Sequence, residues 1–105
     1  MVAKACVIVD IPNRYLPELK DRITIPCHRH ADAYEILNAL GYRDGKEYTV
    51  VAEGFLNEKD EFMSRVDAWR EAKYCNQFTQ EYQDELSQEI YHPATPRKLY
   101  SEDVW

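Results

Sequence analysis

Long apolar runs are missing from this sequence: no stretch approaches the roughly 18 consecutive apolar residues that a membrane helix requires. The opening segment Met1 to Asp10 is too short, and too soon interrupted by Lys4 and Asp10, to read as an export signal. Glycine is scarce as well. With only Gly41, Gly45 and Gly54 there is no glycine-rich phosphate loop, and with five prolines low-complexity disorder is excluded. Paired cysteine motifs are absent. Cys6, Cys27 and Cys75 are odd in number and widely spaced, the usage of free thiols in a reducing compartment. Basic charge is in deficit, with 13 Lys and Arg against 19 Asp and Glu and a net charge of −6. Binding to duplex nucleic acid relies on clustered cations, so that partner is not expected. The expectation is a cytoplasmic protein with no membrane partner.

What is present is enough for a core. Of 105 residues 45% are hydrophobic, including eight Tyr, two Trp and three Phe, which suits a single domain over 1–105. A domain this small buries only about 60–65% of its unfolded surface, so a homo-oligomer is expected.

The run Val2 to Val9 is rich in β-branched residues and reads as a central strand, closed by Asp10-Ile11-Pro12-Asn13. Arg22 to Pro26 reads as its hairpin partner, with a loop through Pro12 and Pro17. Between Ala31 and Leu40, Ala33, Ile36, Leu37 and Leu40 fall at i, i+3, i+4 and i+7, a helical face that Gly41 stops. Glu47 to Leu56 reads as a strand that turns at Asn57 to Asp60 into a short strand at Phe62, a second hairpin. Ser64 followed by Asp67 has the form of a capping box, opening a helix over Arg65 to Tyr74. A third helix is expected from Thr79 to Ile90, broken by His92-Pro93 and Pro96. The tail from Ala94 to Trp105 is expected to be extended and docked through its aromatics. The fold class is therefore α+β: a small antiparallel sheet of two hairpins, two or three helices and an extended C-terminal tail.

Cys27-His28-Arg29-His30 gathers three candidate metal ligands in four residues. A tetrahedral site needs spaced ligands, and the distant candidates Cys75 and His92 stand in no paired motif, so no metal and no cofactor is expected; a Cys27/His28/His30 metal or thiol enzyme is the weaker alternative. Arg29 and Arg65 each stand at the start of a helix, where N–H groups and helix dipoles favour anions. Phe55, Phe62 and Tyr100 offer stacking surface, and Asn76 or Gln77 could read the polar edge of a base.

Arg29-His30-Ala31-Asp32 opening a helix, Gly54-Phe55-Leu56, Phe62-Met63-Ser64-Arg65, Asn76-Gln77 and the ending Leu99-Tyr100-Ser101-Glu102-Asp103-Val104-Trp105 together resemble a family of short phage and prophage proteins, the type-one Thoeris anti-defence proteins. The resemblance covers most of the chain from Pro26 onward. It departs from the family pattern in Pro12 to Lys20 and in the bulky Tyr74-Cys75. It implies a non-enzymatic sponge in the host cytoplasm that holds a nucleotide-derived immune signal, a cyclic ADP-ribose isomer or a cyclic oligonucleotide. Carried onto this chain, it places Arg29 and Arg65 on phosphates, Phe62 or Phe55 on a base, and Asn76 with Asp103 on polar edges. The expected ligand-binding set is Arg29, His30, Phe55, Phe62, Arg65, Asn76, Tyr100 and Asp103. The alternative is an acidic inhibitor that occupies a basic site on a host defence or nucleic-acid-binding protein.

Overall fold

The computed structural model of the chain describes residues 1–42, 47–88 and 97–105. Its elements are strands β1 (Val2–Pro12) and β2 (Lys20–Cys27), helix α1 (His30–Ala39), strands β3 (Thr49–Asn57) and β4 (Phe62–Met63), helices α2 (Arg65–Tyr74) and α3 (Gln80–Gln88), and a 3₁₀ turn at Ser101–Asp103. The expected third-helix end at Ile90, its His92-Pro93 and Pro96 stop, and the tail's start at Ala94 lie outside the described residues.

The sheet is antiparallel throughout, in the order β2-β1-β3-β4, and is built of the two expected hairpins. β1 is interior, as its near-continuous β-branched run requires. It is also longer than expected, because Asp10, Ile11 and Pro12 pair with Arg22, Asp21 and Lys20 and carry the first hairpin outward as an arm. Only 13–19 remain as loop. The molecule is accordingly elongated, 51 × 25 × 21 Å.

Alternation along the strands assigns the two sheet faces. Ala5 lies opposite Phe55 and Val7 opposite Glu53, and this face carries the helices. α1 buries Ala33 and Leu37 against Val7, Val9 and Tyr48, and His30 against Phe55. α2 buries Ala68, Trp69 and Ala72 against Val2, Ala5, Phe55 and Leu99. Alanines at the contact points let both helices approach the sheet closely. Half-buried Cys27 touches both halves of this core.

The helix ends follow the sequence signals. Gly41 takes φ +92° just beyond α1, the left-handed conformation that ends a helix. The Ser64 hydroxyl oxygen accepts from the Asp67 N–H at 3.1 Å, capping α2. Asn76, with φ 55°, turns the chain out of α2. The next residue, Gln77, uses its side-chain amide as a piece of backbone, donating to the Val2 carbonyl and accepting from the Val2 N–H, each at 2.8 Å. α3 has no fully buried residue. It is held by Trp69 Nε1 donating to the Tyr82 hydroxyl at 2.8 Å and by Phe78 packed between Trp69 and Tyr82.

Gly54 is required by close approach. A Cβ there would meet the Met63 carbonyl oxygen and the Phe62 ring at 2.5 Å. Gly54→Ala is therefore expected to destabilise the fold by about 1–3 kcal/mol, the cost of overpacking. A urea melt checks this, and an unchanged midpoint would mean that β4 does not sit across Gly54.

Candidate functional site

α1 and α2 start beside the same stretch of β3, and the C-terminal segment 97–105 runs past both starts. Arg65, in the first turn of α2, lies on the helix-covered face of the sheet. Its Nη2 donates to Glu53 Oε2 at 2.7 Å and its Nη1 to the Leu99 carbonyl at 2.8 Å. The Leu99 N–H returns a bond to the Arg65 carbonyl at 2.9 Å. Glu53 also accepts from the Tyr34 hydroxyl, which ties α1 to the same carboxylate. The Tyr34 hydrogen bond, and then Arg65, hold the Glu53 carboxyl below its usual range.

Arg29 performs a similar task at the N-terminal end of α1. Its Nη2 donates to the main-chain oxygen of Trp105, and its Nη1 is buried without a hydrogen-bond partner among the described residues. Asp32 reaches back to accept from the Arg29 N–H at 3.1 Å and so occupies the helix start. Both arginines that the sequence assigned to phosphate thus make their hydrogen bonds within the chain and hold the C-terminal segment. That segment is further fixed by fully buried Leu99, by Thr79 N–H donating to the Asp103 carbonyl at 2.8 Å, and by Trp105 beside Phe55 and His28.

Apart from Arg29, which is engaged with Trp105, the expected ligand set separates into three groups. Phe55 is fully buried and packs edge-on against the His30 ring, so it belongs to the core. His30 Nε2 lies 2.8 Å from the Gly54 carbonyl, and as that oxygen can only accept, Nε2 donates. Burial pushes the His30 pKa down. Phe62 lies across Gly54 and Asn76 is exposed beyond α2, apart from the rest. Tyr100 and Asp103 remain with Arg65. The Tyr100 ring stacks on the Arg65 guanidinium at 4.9 Å, and Asp103 accepts from the Tyr100 N–H at 2.9 Å. Burial raises the Asp103 pKa.

Tyr100 and Asp103 line a cleft of about 420 Å³ completed by Tyr82, Glu85, Arg97 and Lys98. Those four, together with Glu53 and Tyr34, were not picked out from the sequence. Glu53 carried the clearest signal, an acid inside an apolar strand at a position facing the helices. The Cys27-His28-Arg29-His30 run does not converge: the rings of His28 and His30 turn to Trp105 and to Gly54, and among the described residues no three His, Cys, Asp or Glu side chains gather in a metal-holding arrangement. Burial raises the Cys27 thiol and pushes Cys6 up to about 11, which lowers thiolate content at both.

Two predictions rest on this geometry. Arg65→Ala leaves the Leu99 carbonyl and half of Glu53 unsatisfied and is expected to cost about 2 kcal/mol in a urea melt. Arg65→Lys should restore little, because one ammonium cannot span both oxygens. The second concerns His30. In the unfolded chain it takes a proton near pH 6.5, whereas burial resists that proton in the folded state, so stability is full above pH 6.5 and declines as pH falls. Glu53, with its pKa depressed, adds a further loss at lower pH, and Asp103, with its pKa raised, opposes that loss. His30→Gln should flatten the stability slope between about pH 7 and 5.5, above the carboxylate range; an unaltered slope would contradict the assignment.

Residues 7–105 match the model of the Phage T4 y16D protein family. No curated protein and no solved structure matches the chain. The match supports a small phage protein, and nothing in it points to the Thoeris anti-defence proteins. With the match spanning all but the first six residues, the chain belongs to the Phage T4 y16D protein family.

Proposed function

We propose that this protein is a non-enzymatic phage accessory protein that binds a nucleotide-derived anion in the host cytoplasm and withholds it as a signal from host defence. The observation that carries this reading is the cleft of about 420 Å³ between α3 and the C-terminal segment, a volume within the range of small-molecule sites. Its lining combines the groups such a ligand needs. Tyr100, half exposed and braced from beneath by Arg65, offers a face to a base. Arg97 and Lys98 supply positive charge for a phosphate, and Glu85 and Asp103 can accept from ribose hydroxyls or an exocyclic amine. In this reading Arg29 and Arg65 build the site rather than touch the phosphate. Binding without turnover is supported by the raised thiols of Cys6 and Cys27 and by the engagement of His30 with Gly54.

A second reading, an acidic inhibitor of a basic host protein, is favoured by α3, which presents Glu81, Asp84 and Glu85 to solvent beside Glu102. That reading requires a complex with a host protein that weakens steeply with salt.

Calorimetric titration with cyclic ADP-ribose isomers and cyclic oligonucleotides separates the two. The first reading expects one class to bind and to be released intact on heating. Tyr100→Ala should then weaken binding about tenfold or more, since base stacking contributes about 1–3 kcal/mol, while Lys98→Ala weakens it without lowering the melting temperature. Absence of heat with every compound, or full affinity in Tyr100→Ala, would overturn the reading.

A further inference from the structure

The arm formed by β1 and β2 ends in a loop that is ordered and apolar at once. Asn13 organises it: its Oδ1 accepts from the N–H groups of Tyr15 and Leu16, both at 2.9 Å, and its Nδ2 donates to Asp21. Its N–H donates to the Leu19 carbonyl at 2.9 Å, and the Leu19 N–H donates to the Leu16 carbonyl at 2.8 Å. This network displays Tyr15, Leu16 and Leu19 to solvent at 83%, 50% and 54% exposure. A loop with no docking role gains nothing by fixing three large apolar side chains in water, and aromatic and Arg side chains are the usual anchors of interfaces. Arg14, near the Tyr15 ring, completes such a set.

At the base of the arm lies a second exposed apolar patch. α1 ends there, where Leu37 and Tyr42 share a core cluster with Ile11 and Ile23, and it leaves Ile36 and Leu40 uncovered beside exposed Glu35. Charge distinguishes the two patches. Residues 10–22, which include the Arg22–Asp10 pair, carry three of the 13 bases and three of the 19 acids, so the remainder holds ten bases against 16 acids. The arm is neutral on an otherwise acidic molecule, which leaves Arg14 at its tip free of a net acidic surround and opposite in sign to Glu35.

We infer that the arm end is an interaction surface for a second copy of this chain: Tyr15, Leu16 and Leu19 of each protomer seat on Ile36 and Leu40 of the other, with Arg14 facing Glu35, about a two-fold axis. Such a contact is reciprocal, as a two-fold interface must be. The five apolar side chains can cover on the order of 600 Å² per copy, close to the roughly 800 Å² per partner of a standard interface, with the flanking polar residues supplying the rest. Direct pairing of the β2 edges is a poorer solution, because Lys20, Arg22 and Pro26 guard that edge.

The full chain is examined by light scattering on a sizing column at tens of micromolar, with circular dichroism to confirm folding. The native chain is expected at about twice the monomer mass, and a Leu16→Ser and Leu19→Ser double variant at the monomer mass with an unaltered spectrum. Arg14→Glu and Glu35→Arg should each give monomers, since each places like charges together twice, whereas an equal mixture of the two should recover dimers. A monomeric native chain, a double variant that remains dimeric, or a mixture that stays monomeric overturns the inference. The experiment does not depend on the ligand cleft, so its outcome is independent of the proposed function.

Discussion

The Arg65 guanidinium is the interaction on which the arrangement of this small fold depends. One planar cation reaches a carboxylate on β3 and a carbonyl of the C-terminal segment, and it supports the Tyr100 ring on its face. Arginine alone offers a rigid fork of donors together with a stacking surface. Because the same Glu53 carboxylate takes the Tyr34 hydroxyl, α1, α2, β3 and the last residues of the chain meet at a single ion pair. Both partners are mostly shielded from water, so the pair is screened less than a surface bridge. Arg29 repeats the device one helix away, and between them the two arginines hold down a segment that has little regular structure of its own.

This arrangement also explains how much of the molecule was legible in the sequence. The strands and helices were readable because their signals are local: β-branched runs, the i, i+3, i+4, i+7 spacing in α1, the Ser64 cap and Gly41. The length of the arm was not, since Asp10 to Pro12 look like a turn until their partners in β2 are known. The site was legible in its parts and not in its roles. A helix-start arginine reads the same whether it meets a phosphate or a carbonyl far along the chain, and only the tertiary path of 97–105 decides between them. Phe55 and Phe62 show the same limit, because burial of the one and the exposed lie of the other across Gly54 depend on sheet register. Tyr100 was readable as an aromatic in a short terminal segment, whereas Asp103 entered only through the family resemblance, because an acid among other acids carries no local signal of its own.

The proposed function rests on the cleft beside α3. A phage protein of this size can act by binding alone, and the described residues place aromatic, basic and acidic groups around one concavity while the buried thiols and His30 serve the core. The cleft exists only because the C-terminal segment is seated. Its walls come from α3 on one side and from residues 97–103 on the other, and the second wall is positioned by Arg65 and Leu99. Stability of the tail and shape of the cleft are in this sense one property.

Amide hydrogen exchange followed residue by residue tests that claim most directly. The Leu99 N–H, bonded to the Arg65 carbonyl and buried, should exchange as slowly as the Val7 N–H in the centre of the sheet, because both open only with the whole fold. Exchange of Leu99 at the rate of an unstructured peptide, with Val7 still protected, would show that the C-terminal segment is not held by Arg65 and would remove the basis of the account.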